Sequence, residues 1–422
     1  MFYYQLQNKF LISSEEYNKL QRVSEKEVKE SSETIYALTR INPLKSRRSF
    51  CASDPSLLFL KEEGIKLIQK APKRNNNLPE WLVNMIKKKR VCMLNTAYPE
   101  WQKVLTDKFP WNQLWKINIV GLGDVGGSIL TGLRLLGGKW IKDIGIYDKS
   151  EKLVRRWEME ANQIIDPVGR KRFPQVHIVE KDELFDSDLF IFCATVGVPP
   201  ISAEKKDVRM EQWEGNARII LEYAKKARES YFKGIFAVVS DPVDLLCKTA
   251  FLASNRDQEG RLDFKGLAPE QIRGYGLGVM YARASYYAQK ISETINYNKE
   301  GRAFGPHGLG LVIANSIKNY NQNLSEMLTK KALKANLTIR ELGYKPYIAP
   351  AFSSAVLPIL ATIQGKWHYS ATFLGGVYMG LRNRLHPTGI ELERQNIPTP
   401  LMERIKNSYL SLSKANAFIN FF

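Results

Sequence analysis

A chain of 422 residues exceeds a typical single domain and calls for two or three. Its 44% hydrophobic and 25% charged residues suit a globular protein, and no apolar run approaches the roughly 18 residues of a membrane span, which argues against a membrane-spanning class. The formal charge of +19 is spread out: residues 1–116 hold 21 basic and 12 acidic side chains, so no dense basic arm argues for nucleic acid.

The first residues, MFYYQLQNKFLISSEEYNKL, lack a basic segment followed by an apolar core, so no signal peptide is expected. Cys51, Cys92, Cys193 and Cys247 show no close spacing and read as reduced thiols of a cytoplasmic protein, with no metal set among them. Residues 1–115 alternate short helical patterns with polar breaks such as SSE and KRNNNLPE, which predicts a mostly helical extension without a motif. Its one dense charge run, KKKR at 87–90, follows the apolar PEWLVNMI and fits the solvated end of an amphipathic helix.

From residue 116 the pattern turns regular. KINIVGLG predicts a strand, DVGGSILTGLRLLGG a helix, DIGIYD a strand and KLVRRWEMEANQII a helix; QVHIVE, DLFIFCAT and GIFAVVSDP continue as strands around a long helical stretch, RMEQWEGNARIILEYAKKARES. Such alternation predicts a Rossmann-type, doubly wound parallel sheet over 116–264. Residues 265–422 mix a strand (QIRGYGLG), helices, a GPHG turn and the antiparallel-looking run GGVYMGLRNRLHPTGIELER before a final helix, which predicts a second, α+β domain.

Gly121, Gly123 and Gly126 form a GxGxxG between the first strand and its helix, and Asp148 ends the next strand 22 residues later. The first glycine permits the tight turn, the second lets backbone approach a pyrophosphate at the helix N-terminus, and the third lets helix pack on strand. Asp148 would accept hydrogen bonds from an adenosine ribose and repel a 2′-phosphate, which favours NAD over NADP, although Lys149 stands beside it.

Further motifs follow in fixed order: CAT at 193–195, Arg209 with Asn216 seven residues on, SDPVD at 240–244, GLGVMYAR at 276–283 and GPHG at 305–308. Over 116–422 this order resembles the lactate and malate dehydrogenase family; residues 1–115 have no counterpart there. The resemblance implies NAD-dependent hydride transfer between nicotinamide and a 2-hydroxy/2-oxo acid. It implies His307 as acid/base, a group suited by its near-neutral titration. It implies Arg283 as the bidentate grip on the substrate carboxylate and Arg209 on a mobile lid as the group that polarises the carbonyl. It places Asp124, Val125, Ala194, Asn216 and Ser240 with the glycines against the cofactor. It also implies a homodimer or tetramer, with residues 1–115 expected to cover the cofactor cleft or an oligomer surface.

Two positions depart from that pattern. The family's aspartate that orients the histidine is here Met280, and its asparagine at the reacting oxygen is here Asp241. Asp241 is therefore expected either to partner His307 or to anchor a cationic substrate group, which opens the alternative of an imino- or amino-acid substrate. A non-catalytic NAD-binding protein is the remaining alternative. The lid PPISAEKKDV, 199–208, is also longer than usual and carries Lys205 and Lys206, candidates for a second anionic group.

Overall fold

The structure, a computed structural model, describes residues 1–31, 33–71, 78–106, 111, 113–196 and 208–419, the side chains of 208–211 and 416–418 apart. The N-terminal part opens with a hairpin, β1 (Phe2–Leu6) and β2 (Lys9–Ser13), and β3 (Gln21–Arg22) pairs the outer edge of β1. Helix α1 (Glu25–Glu30) starts at a capping box of Ser24 and Glu27 and leads to β4 (Ile35–Thr39). After β5 (Ser49–Cys51) come α2 (Glu80–Lys87) and β6 (Val91–Asn95). Among the described residues these strands form a six-stranded mixed sheet in the order β3-β1-β2-β4-β6-β5.

This sheet corrects the expectation of a mostly helical extension. The strands span only two to five residues, and β4 and β6 are buried on both faces, so IYALT and VCMLN lack the alternation by which a strand is read. Helix α2 does bury Leu82 and Ile86 and leaves Lys87 and Lys88 in solvent at its end.

The second sheet has nine strands. Its parallel part comprises β7 (Trp115–Val120), β8 (Ile141–Tyr147), β9 (Gln175–Ile178), β10 (Leu189–Phe192), β11 (Ile235–Val238) and β12 (Ile272–Gly274). Helices α3 (Asp124–Leu136), α4 (Glu151–Asn162), α5 (Val208–Glu229) and α6 (Val243–Ser254) connect these strands. The order β9-β8-β7-β10-β11-β12 is that of a Rossmann sheet and reverses between β7 and β10, where such sheets bind ligands at their C-terminal ends.

Beyond β12 follow α7 (Leu277–Ala288), α8 (Tyr297–Glu300), the two-stranded ribbon β13 (Arg302–Phe304) and β14 (Val312–Ala314), and α9 (Gln322–Glu341). A π-helical turn, Pro350–Val356, runs into α10 (Leu357–Ile363). The expected antiparallel strands are β15 (His368–Leu374), β16 (Val377–His386) and β17 (Gly389–Leu392), and they extend the same sheet from the edge of β12. Helix α11 (Thr399–Ile419) closes the described chain.

The core strands read as continuous apolar runs because both faces are covered: LFIF of β10 and IFAV of β11 are wholly buried. The N-terminal sheet docks on the β16–β17 end and beneath β12. Arg48 and Ser49 bind Glu270, Lys89 pairs with Glu391 at 2.9 Å, and Arg394 pairs with Asp54 at 3.1 Å. These contacts put the described residues of 1–95 at the N-terminal ends of the parallel strands, away from the cofactor cleft, which was one of the two surfaces they were expected to cover. No helix among the described residues is long and apolar enough to cross a membrane.

Candidate functional site

The glycine motif sits at the switch point. Gly121, at φ +88°, makes the turn out of β7; a Cβ there would lie 2.6 Å from the backbone nitrogen of Ala194, so only glycine lets the two strand ends meet. Gly123 differs: a Cβ there would meet nothing within 4 Å, and no side chain caps α3 at this position. An open hollow in front of uncapped helix N–H groups suits a pyrophosphate. Asp148, half-buried at the end of β8, accepts from the N–H of Leu122 at 2.8 Å and of Ser150 at 3.0 Å, which fixes its carboxylate beside the groove. Asp124 is exposed and ion-paired with Lys345 at 3.2 Å, and Val125 packs partly buried on the core. These residues fit a dinucleotide.

Two further residues expected beside the cofactor make hydrogen bonds within the protein. Asn216 is fully buried; its amide donates to the Asp241 carbonyl at 2.7 Å, and its oxygen accepts from the Val196 N–H at 2.9 Å. Ser240 donates to the Ala194 carbonyl at 2.7 Å. Both side chains brace the ends of β10 and β11 against each other. The side chain of Arg209 lies outside the described residues, as do residues 197–207 with Lys205 and Lys206.

At the end of β11, Asp241 Oδ1 lies 3.1 Å from His307 Nδ1. An ionised carboxylate only accepts, so this contact sets Nδ1 as the hydrogen-bearing nitrogen. Asp241 remains 42% exposed while the imidazole is 14% exposed, so the pair reaches solvent mainly through its acid. The imidazole is held by its neighbours: a Cβ on Gly276 would lie 2.9 Å from that of His307, so glycine there permits α7 to start against the ring. Ser354, from the π-helical turn, donates to the Gly276 carbonyl at 2.6 Å and accepts from the Val279 N–H at 3.0 Å, which locks the first turn of α7.

Arg283 stands one turn along α7 and is largely buried. Burial lowers the pKa of its guanidinium, and the carboxylate of Asp241 acts in the opposite direction. One Nη donates to Met280 Sδ at 3.4 Å and the other to Asn336 Oδ1 of α9. Met280 is buried and faces the arginine. The structure thus brings Asp241, His307, Arg283 and Met280 together, as the motif order implied. It adds Asn336 and Ser354, neither of which carries a sequence signal. No group of three or more His, Cys, Asp or Glu side chains among the described residues is placed to hold a metal.

Residues 115–262 match the lactate/malate dehydrogenase NAD-binding domain. The L-lactate dehydrogenase of Treponema denticola is 29% identical over 195 residues, 46% of this chain and 55% of that protein, so the match spans about half the relative's length. A probable malate dehydrogenase of Campylobacter jejuni is 22% identical over 313 residues, 70% of this chain and 97% of that one. Among solved structures, a lactate dehydrogenase from Cryptosporidium parvum, complexed with lactic acid and nicotinamide adenine dinucleotide, superimposes with a TM-score of 0.59 at 18% identity, covering 73% of this chain and 98% of its own. A lactate dehydrogenase from a deep-sea metagenome gives 0.60 at 19% identity, covering 74% and 100%. Residues 115–262 thus match the NAD-binding domain of the lactate/malate dehydrogenases, and the fold around them resembles those enzymes, with an additional N-terminal sheet.

Proposed function

We propose that the protein is an NAD-dependent oxidoreductase acting on a 2-hydroxy or 2-oxo carboxylic acid, with its orienting carboxylate moved from position 280 to position 241. The observation that carries this reading is the Asp241–His307 contact beside Arg283. NAD, when bound, supplies the hydride acceptor, or in its reduced form the donor. The glycine turn and the N-terminus of α3 hold the pyrophosphate, and Asp148 binds the ribose. Arg283 grips the substrate carboxylate through its planar fork. Asp241 orients His307 through Nδ1 and stabilises its imidazolium, so Nε2 delivers the proton to the substrate oxygen in reduction and removes it in oxidation. Arg209 takes the role the resemblance gives it, polarising the reacting bond. In this reading 116–264 forms the cofactor unit and 265–422 the substrate unit of a cytoplasmic homodimer or tetramer.

Turnover of NADH against a panel of 2-oxo acids tests it. Asp241→Asn, which keeps shape and removes the acid, is expected to lower kcat by about two orders of magnitude or more, the scale on which loss of an orienting carboxylate acts. Intact turnover in that variant would remove the compensating role, and NADH binding without turnover on any acid would favour a non-catalytic protein.

One observation favours a second reading. Asp241 offers an acceptor where the family places an amide donor, and its side chain remains 42% exposed. An iminium or amine N–H at the reacting carbon matches that acceptor better than a ketone oxygen does. Turnover that requires added ammonium or a primary amine supports it.

A further inference from the structure

The chain carries a formal charge of +19, and the site above uses little of it. Two segments at one edge of the nine-stranded sheet set part of that charge beside exposed apolar side chains. One, 134–142, runs from the end of α3 into the start of β8. The other, 163–174, follows α4 and leads into β9. Both lie at the N-terminal ends of their strands, whereas Gly121 and Asp148 follow β7 and β8 at the opposite ends.

Two arginines clamp these segments together. Arg134 donates to the carbonyls of Ile164, at 3.2 Å, and of Pro174. Arg172 donates in return to the carbonyls of Gly138 at 2.9 Å and Ile141 at 2.8 Å. Within the second segment Asp166 builds a tight turn. Its carbonyl accepts from the Gly169 N–H at 2.9 Å, and its carboxylate accepts from the N–H groups of Val168, Arg170 and Lys171. Gly169 supplies the positive φ, +67°, that closes the turn. The tip is thereby held in one shape.

The clamped surface is apolar and cationic at once. Ile165 is 72% exposed and Val168 64%, and Leu135, Leu136 and Trp140 are exposed on the facing segment. Large apolar side chains grouped in the open on a held turn mark a surface that meets something else. Around them the two segments hold six basic side chains and one acid, Asp166. Lys139, Lys142 and Arg170 are exposed and make no ion pair among the described residues. Asp166 directs its carboxylate onto the turn and lies near Lys171, so it leaves those three cations unmatched.

The combination selects the occupant. Nucleic acid would answer the cations and leave the aliphatic tip in water. An anionic lipid surface answers both: aliphatic side chains enter the acyl boundary, an indole suits the headgroup level, and long basic side chains remain among the phosphates. We propose that this edge of the molecule is a peripheral docking surface for an anionic phospholipid membrane. Ile165 and Val168 enter the acyl boundary, and Lys139, Lys142 and Arg170 meet the headgroups. In this orientation the glycine groove and Asp241, which follow β7 and β11 at their other ends, stay open to water.

Cosedimentation of the full-length protein with vesicles tests the proposal. Vesicles of equal parts phosphatidylserine and phosphatidylcholine are expected to carry the protein down, and vesicles of phosphatidylcholine alone are not. Binding is expected to weaken as salt rises. Lys139→Glu with Arg170→Glu is expected to lower the partition coefficient about tenfold or more. Ile165→Ser with Val168→Ser keeps every charge and is expected to lower it about tenfold. Both pairs lie on the surface, so melting temperature and NADH affinity are expected to hold. Absence of binding, or equal binding to phosphatidylcholine alone, would overturn the proposal. So would binding that ignores the Ile165 and Val168 changes, which marks a general attraction of a basic protein. Self-association in solution that is lost in that same variant, read by light scattering, would assign the surface to a second copy of the chain instead. None of these readouts depends on turnover, so the docking surface and the proposed activity stand or fall separately.

Discussion

At the scale of single residues, the candidate site turns on an exchange of positions. Asp241 touches His307, and Met280 touches Arg283 instead. Met280→Asp alone sets a second buried carboxylate near the first; like charges raise each other's pKa, so activity is expected to fall. In the Asp241→Asn background the same change returns the acid to the position typical of the family and is expected to recover at least tenfold of the lost kcat. Kinetics on the two single variants and the double variant read this coupling directly. A second residue-scale test concerns stability. Lys248 is buried against the rings of Phe251 and Phe373, donates to the Gly376 carbonyl at 3.0 Å, and is lowered to about 8 by burial and then by Lys45. Its folded pKa lies below its unfolded one, so between about pH 8 and 10.5 the unfolded chain binds the extra proton and stability rises with pH. Lys248→Met is expected to add on the order of 2 kcal/mol at pH 7 and to abolish its share of that rise, as read by denaturant titration at several pH values.

At the scale of elements, the glycine turn separates folding from binding. Gly121→Ala strains a positive φ and drives a Cβ into the backbone of Ala194, so a loss of roughly 2 kcal/mol or more is expected together with the loss of cofactor binding. Gly123→Ala adds a Cβ that meets nothing within 4 Å, so its melting temperature is expected to hold while NADH affinity drops as the added carbon fills the space left for the pyrophosphate. This turn was legible in the sequence because its chemistry is local: three glycines, an apolar strand before and an amphipathic helix after. His307, Arg283 and Asp241 were legible only through motif order, since 66 residues separate the acid from the histidine. Asn336 was not legible, because the helix that carries it presents no motif and its meeting with Arg283 is a product of packing between α7 and α9. The N-terminal strands escaped for a related reason: all are short, and β4 and β6, buried on both faces, show no period.

At the scale of the whole molecule, a few buried charges join the two sheets. Glu391 on β17 binds Lys89, Arg384 and His386, and these hydrogen bonds and charges hold its carboxyl down at about 2 despite burial. Its folded pKa lies below the unfolded value, so this stabilisation is complete above about pH 4.5 and is lost as pH falls toward 2. Glu391→Gln leaves three basic groups facing a neutral amide; a loss of about 1–3 kcal/mol is expected. Limited proteolysis is expected to release the N-terminal sheet earlier in that variant, while the glycine groove, at the far ends of the strands, keeps its NADH affinity.

The π-helical turn at 350–356 carries a consequence of length. Its hydrogen bonds run one residue further along the chain than those of an α-helix, and Ser354 reaches Gly276 and Val279 from that wider winding. Deleting a single residue from this stretch would restore ordinary winding and rotate Ser354 about 100° around the helix axis, away from α7. The guanidinium that rides on α7 would then answer to a peptide bond more than one turn away, so the width of one helix sets the aim of another.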